Sequence, residues 1–310
     1  MTRVVALAGG VGGAKLADGL AGILPPEELT VVVNTGDDFE LFGLKISPDL
    51  DTVCYTLADL ANPDTGWGRN HETWNTLKAL NELEAPTWFN LGDSDLALHL
   101  ERTRLRNEGV PLSEVTRQIC SRLKVSPLVL PMTDDPVSTI ISTREYGDLP
   151  FQEYFVKYHF VPSVQGIKFA GVELAHAPQL VIQKLEEADE ILICPSNPWV
   201  SIDPILSIKE IRQVVSRRKA VAVSPIIGGK ALKGPAARMF QEMGIASSAL
   251  EVARHYQVFL KGFVMDAVDA GQKEKIEQCG IIPLATNTIM ASVEDRARLA
   301  REVLEFSIHL

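Results

Sequence analysis

Val4-Val5-Ala6-Leu7-Ala8-Gly9-Gly10-Val11-Gly12-Gly13-Ala14-Lys15 is the stretch whose reading decides the fold. Its first five residues are apolar without alternation, the pattern of a strand covered on both faces, as in parallel sheets. Glycine then fills four of the five positions from Gly9 to Gly13, and Ala14 to Ile23 carries helical spacing. Glycine at these places removes the Cβ atoms that would keep a ligand from the backbone. Amides at a helix start, reinforced by the positive end of the helix dipole, then suit an anion. The turn therefore predicts a phosphate cradle from Gly9, Gly10, Gly12, Gly13 and Lys15, although a glycine turn also serves as a tight strand-to-helix connection. It is not a Walker A loop, because Gly13-Ala14-Lys15-Leu16 has no hydroxyl after the lysine. A dinucleotide fingerprint fits only in part. Lys15 stands where the third glycine belongs, and the second strand ends in Asn34 rather than the carboxylate that holds a ribose.

Working outward, apolar runs at Leu29–Val33, Leu128–Pro131, Glu190–Cys194, Ala220–Ser224 and Val258–Val264 predict further strands. Helical spacing lies between or after them at Pro178–Glu187, Ile208–Arg217, Gly234–Met243 and Ser292–Phe306. This alternation predicts an α/β fold, a doubly wound, mostly parallel Rossmann-like sheet. Asp51–Leu60, His71–Leu83 and Leu112–Leu123 read as helices in succession, which predicts a helical insertion over roughly residues 67–125 of a single domain spanning 1–310. Val137–Thr143 and Phe151–Val156 alternate enough for an antiparallel hairpin.

Composition narrows the function. The 310 residues carry a net charge of −10, which gives no electrostatic footprint for nucleic acid. Arg102, Arg104 and Arg106 read as a solvated helix face. No run approaches the ~20 apolar residues that cross a membrane. Cys54, Cys120, Cys194 and Cys279 lack metal-ligand spacing and read as reduced thiols of a cytoplasmic protein.

Polar groups gather where strands end. Asn34-Thr35-Gly36-Asp37-Asp38 follows the second strand, and Ser47-Pro48-Asp49-Leu50-Asp51-Thr52 comes soon after. Carboxylates facing a phosphate loop repel its ligand unless a divalent cation lies between, so Asp37, Asp38 and Asp49 are candidate magnesium ligands. Asp49 or Asp51 could instead cap the helix that follows. Asp95 and His99 stand one helical turn apart in a further polar cluster. Ser196 and Asn197 end the fourth strand with small hydrogen-bonding groups, and Gly228-Gly229-Lys230 with Lys233-Gly234-Pro235 looks like a second anion turn. No nucleophile elbow or Ser-His-Asp order is present, which leaves chemistry by positioning and charge neutralisation.

Taken together, Ala8–Leu16, Val33–Asp38, Ser47–Val53, Glu72-Thr73-Trp74, Trp88–Asp93, Leu130–Val137, Pro195–Pro198 and Ala222–Gly229 resemble the 2-phospholactate transferase family of coenzyme F420 biosynthesis. The resemblance implies a phosphotransferase-type enzyme. Its acceptor is FO, a deazaflavin with a ribityl chain, and its donor a guanosine diphosphate ester of lactate or enolpyruvate. The terminal ribityl hydroxyl attacks the β-phosphorus and GMP leaves, with magnesium on the diphosphate. By the same resemblance Gly9 to Lys15 hold the diphosphate, and Ser196, Asn197, Gly228 and Gly229 take the guanosine side. Asp51, with Asp49 in the catalytic set, holds or deprotonates the ribityl hydroxyl; Asn90 touches the deazaflavin, on which Trp88 and Phe89 could stack. The family usually has arginine where this chain has Ser94, which removes a cation from the donor side. A homodimer is the default expectation at this size. The related nucleotide-sugar-binding family linked to cell-wall regulation shares the glycine loop and the Asn-Pro segment, but Trp88–Asp93 and Glu72-Thr73-Trp74 favour the transferase.

Overall fold

The computed structural model describes residues 2–231 and 236–310. Seven strands form one parallel sheet: β1 (Val4–Ala8), β2 (Leu29–Val33), β3 (Leu128–Pro131), β4 (Glu190–Ile193), β5 (Ala220–Val223), β6 (Leu260–Asp266) and β7 (Ile282–Thr286). Their order across the sheet is β7-β6-β5-β4-β1-β2-β3. Val4 of β1 stands between Leu29 of β2 and Glu190 of β4. Val5 and Leu7 point into one core, while Val4, Ala6 and Ala8 point into another, so both faces of β1 are covered. That is the physical reason its sequence does not alternate. The chain runs outward from β1 through β2 to β3, then returns to β4 on the other side. Direction therefore reverses between β1 and β4, the place where open α/β sheets bind ligands at their carboxyl ends.

Four helices place the site. α1 (Gly10–Ala21) begins inside the glycine turn, four residues earlier than the spacing predicts, and α2 (Pro48–Leu57) starts with proline at its first position. Further along, α3 (Asn75–Glu82) and α4 (Asp93–Asn107) precede a helix at Leu112–Arg122. α1 packs between α2 and the C-terminal helix Val293–Ile308, whose start is closed by a reciprocal capping box of Ser292 and Asp295. None of the helices described is long and apolar enough to cross a membrane.

One expectation is corrected. Phe151–Val156 is not a strand: Gly147–Pro150 pairs with Ser138–Thr143, and Val164–Ala170 completes that small antiparallel sheet. After Pro150 the chain coils into a helical turn at Glu153–Lys157. Phe151, Tyr154 and Phe155 stand at helical spacing, and burying them on one side overrides the local alternation. The seventh strand, β7, is not among those the apolar runs predict. The expected helix from Gly234 to Met243 is observed at Ala236–Glu242, while Lys233-Gly234-Pro235 lies outside the described residues.

At Gly19 the C-terminal helix lies so close that a Cβ would overlap the backbone carbonyl of Arg296. Alanine gains about 1 kcal/mol of helix propensity over glycine, but overpacking of backbone on backbone costs about 1–3 kcal/mol. Gly19→Ala is expected to lower the thermal midpoint. Gly22→Ala, whose nearest neighbour for a Cβ is the Gly19 carbonyl at 3.5 Å, is expected to leave it nearly unchanged. Equal midpoints for both variants would contradict this packing.

Candidate active site

At the reversal point the two loops lock together. The Gly9 N–H donates to Ser196 Oγ at 3.1 Å, and the Gly10 N–H donates to Asp49 Oδ1 at 2.6 Å. A Cβ at Gly9 would overlap Asp49 Oδ2, one at Gly12 the Pro195 carbonyl, and one at Gly13 would lie 2.5 Å from Ser196 Oγ. Gly10 adopts φ of +61°, a conformation glycine enters without strain. The glycines thus admit neighbouring protein as well as a ligand.

A cavity of about 1000 Å³ opens over these loops. Gly9, Gly10, Gly12, Lys15, Ser196 and Asn197 line its polar part. Lys15 Nζ donates to the Met290 carbonyl at 2.9 Å, which fixes the ammonium beside the loop that follows β7. The side-chain oxygen of Asn197 caps the next helical turn by accepting from the Trp199 N–H at 3.1 Å. The aromatic part includes Trp88, Phe89, Phe151 and Phe155, with Asn90 exposed at its edge. Phe151 and Phe155 stack with ring centres 5.6 Å apart and planes 3° from parallel.

Asn34 organises the carboxylates. Fully buried, it donates through Nδ2 to Asp49 Oδ2 at 2.9 Å and to Asp37 Oδ1 at 3.3 Å, and its Oδ1 accepts from the Gly36 N–H. Asp37 also accepts from Gln152 Nε2 at 2.9 Å. Burial, then the charges of Asp49 and Asp38, raise the Asp37 carboxyl well above the usual range. Burial pushes Asp49 up to about 6 and Asp38 up to about 8. Asp37 and Asp49 both line the cavity; Asp38 does not, and accepts instead from Ser47 Oγ at 2.7 Å. Two buried carboxylates lining the cavity beside the glycine turn fit magnesium, a cation that one or two protein carboxylates hold together with phosphate oxygens. Asp49 and Asp51 both stand inside the first turn of α2, and Asp49 caps α1 rather than its own helix.

Asp51 faces the cavity from a different setting. Arg102, read as solvated, is 2% exposed and grips both Asp51 oxygens, Nη1 at 3.1 Å from Oδ2 and Nη2 on Oδ1. His99 is also buried, with Nδ1 3.1 Å from Arg102 Nη1 and Nε2 3.4 Å from Asp95 Oδ2. Tyr55 closes the chain by donating to Asp95 Oδ1 at 2.6 Å. Burial raises the Asp95 carboxyl, but His99 and Tyr55 outweigh it and hold the group below its ordinary range. Among the described residues, the trio whose ligand atoms all lie within 4.8 Å of one another is Asp51, Asp95 and His99, not Asp37, Asp38 and Asp49.

The segments Glu72-Thr73-Trp74 and Leu91-Gly92-Asp93 form a reciprocal clamp. Glu72 accepts from the Ser94 and Asp95 N–H groups at the start of α4, while Asp93 accepts from the Thr73 hydroxyl and the Asn75 and Thr76 N–H groups at the start of α3. These bonds, the Thr73 hydroxyl foremost, hold the Asp93 carboxyl below its ordinary range. The clamp sets the direction of α4 and so aims Asp95 and His99 at the cavity. Ser94 is exposed and does not line it.

Gly13, Asp38, Gly228 and Gly229 lie outside the lining. Gly228 and Gly229 have φ of +55° and +78° and join the two-residue strands Ile226–Ile227 and Lys230–Ala231, so a tight hairpin accounts for them. Unforeseen lining residues are Thr288 to Ala291, after β7. The Thr288 N–H and hydroxyl donate to Asp266 Oδ2, fixing that loop to the end of β6.

The model of the family described as 2-phospho-L-lactate transferase CofD matches residues 4–299. A phosphoenolpyruvate transferase of Streptomyces griseus is 41% identical over 98% of both chains. A 2-phospho-L-lactate transferase of Methanosarcina acetivorans is 40% identical over 99% of this chain and 98% of its own. A crystal structure of a UPF0052-family protein from Bacillus halodurans superposes with a TM-score of 0.65 at 13% identity, covering 98% of this chain and 100% of that one, a likeness of fold alone. With nearly its whole length matched, the chain belongs to the 2-phospho-L-lactate transferase CofD family.

Proposed function

We propose that the chain transfers a phospholactyl or phosphoenolpyruvyl group from a guanosine diphosphate ester to the terminal ribityl hydroxyl of FO, releasing GMP. The observation that carries this reading is the continuity of one cavity. It joins a glycine turn at the sheet's reversal point, suited to a diphosphate, to aromatic walls suited to a flat ring system. A nucleotide sugar has no planar group to fill those walls besides its base.

In this reading the amides of the glycine turn and Lys15 hold the diphosphate, and the loops at Ser196–Asn197 and Thr288–Ala291 flank the nucleoside. Trp88, Phe89 and Asn90 receive the deazaflavin. Asp51 accepts a hydrogen bond from the ribityl hydroxyl and directs its oxygen at the β-phosphorus. A bond forms between that oxygen and phosphorus, the bond from phosphorus to the bridging oxygen breaks, and GMP departs with the electron pair. The hydroxyl proton passes by way of Asp51 towards solvent. Asp37 and Asp49 would hold magnesium, which when bound neutralises charge on the diphosphate and the leaving phosphate.

Incubation of the protein and magnesium with FO and each three-carbon guanosine diphosphate ester, read by mass spectrometry, tests the assignment. The expected product is FO extended by a phosphodiester, with GMP in equal amount. No product from any such donor, alongside tight binding of a uridine diphosphate sugar, would overturn it. Asp51→Asn is expected to lower turnover by about 100-fold or more while GDP affinity, measured by calorimetry, stays near wild type. A parallel loss of GDP affinity would move this carboxylate from acceptor to metal. Chelation of divalent cations is expected to weaken GDP binding, and Asp49→Asn to weaken it to a similar level even with magnesium present.

A further inference from the structure

Behind Asp51, Arg102, His99, Asp95 and Tyr55 form a buried polar network that the proposed chemistry leaves without a task. Asp51, Asp95, His99 and Tyr55 line the cavity, but Arg102 does not. It lies behind Asp51, and its Nη1 also reaches the Lys45 carbonyl at 3.4 Å. That contact ties α4 to the strand Leu44–Ile46 beside the start of α2. We infer that Arg102 is the positioning residue of the acceptor site: by gripping both oxygens of Asp51 it fixes the direction of the lone pairs that meet the substrate hydroxyl.

The inference rests on the reading of Asp51 as the acceptor's partner, and three observations support it. First, a guanidinium presents two parallel N–H groups to a carboxylate, a geometry that removes the rotation a single bond leaves free. Second, the guanidinium is itself held. Because it donates to His99 Nδ1, the ring proton sits on Nε2, facing Asp95, and the Tyr55 hydroxyl then fixes Asp95. Third, a cation already stands at the trio of Asp51, Asp95 and His99. A metal ion there would lie beside the guanidinium, and repulsion between the two makes Arg102 the resident charge. Asp95, His99 and Arg102 follow one another at positions i, i+4 and i+7 of α4, so one helix face delivers the whole support.

The test uses the full chain and four variants: Arg102→Lys, Arg102→Gln, Asp51→Asn and the double variant Asp51→Asn with Arg102→Gln. FO affinity is read from FO fluorescence, GDP affinity by calorimetry, and turnover with the donor accepted by wild type. Lysine keeps the charge but can bond only one oxygen at a time. Arg102→Lys is therefore expected to lose about 10–100-fold in turnover, with GDP affinity unchanged. The double variant is expected to bind FO no more weakly than Asp51→Asn alone, because removing the carboxylate also removes the task of the guanidinium. The double variant contains no orphaned charge, so it reports even where Arg102→Gln alone fails to fold.

Wild-type behaviour of Arg102→Lys would overturn the inference. So would multiplicative losses in the double variant, or zinc binding to wild type that vanishes in His99→Gln. A wild type that neither binds FO nor transfers to it overturns the functional reading itself, a result visible before any variant is made.

Discussion

The Gly10 N–H donates to an Asp49 oxygen across 2.6 Å, and that bond joins the first turn of α1 to the first turn of α2. α1 follows β1 directly, and α2 follows β2 after the short hairpin of Phe39–Leu41 and Leu44–Ile46, so the bond ties the connection after β2 back to the end of β1. A helix start leaves its first four N–H groups without partners inside the helix. Here one of them is answered by a side chain of the next helix rather than by a residue of its own turn. Asn34 then holds Asp49 from β2, and Ser196 holds Gly9 from the loop after β4. Three strand ends are thereby gathered round one glycine turn. The cavity is the space they leave.

This changes what the glycines are for. A glycine-rich turn suggests room for phosphate, yet side chains at Gly9, Gly12 and Gly13 would first meet Asp49, Pro195 and Ser196. The protein's own loops set the spacing, and a ligand meets the amide face that remains. Packing and binding therefore ask for the same residue at the same place. A glycine pattern alone does not reveal which demand is the stronger.

Much of the architecture was legible because buried parallel strands are written as unbroken apolar runs, and β1, β2 and β3 appear at the residues expected. β7 lacks that signature because no residue of it is fully buried, unlike β3 at the opposite edge, where three of four are. The stretch after Pro150 misled because its short alternation competes with the helical spacing of Phe151, Tyr154 and Phe155. Arg102 is buried against expectation for a reason that lies in helix geometry. Arg102, Arg104 and Arg106 look like one basic face in the linear sequence, but residues two apart do not share a helix face. Arg104 pairs with Glu101 and Glu108 on the surface, while Arg102 turns inward with His99 and Asp95. Periodicity applied to charged residues as well as apolar ones carries that signal.

The electrostatics of the cavity follow from the same arrangement. The chain carries a net charge of −10, and its candidate site brings Asp37 and Asp49 to a place suited to an anion. Arg102 cannot attract that anion, because it is buried behind Asp51 and its charge is balanced there. What faces an anion in this cavity is the dipole of α1, backbone N–H groups and the Lys15 ammonium, against two carboxylates whose carboxyl groups burial raises above their ordinary range. A site so balanced has little attraction for an anionic donor until positive charge arrives with it. On the proposed reading, donor and divalent cation are expected to bind as a pair, each removing part of the other's electrostatic penalty, whereas Asp51, paired with Arg102, is held in place without either.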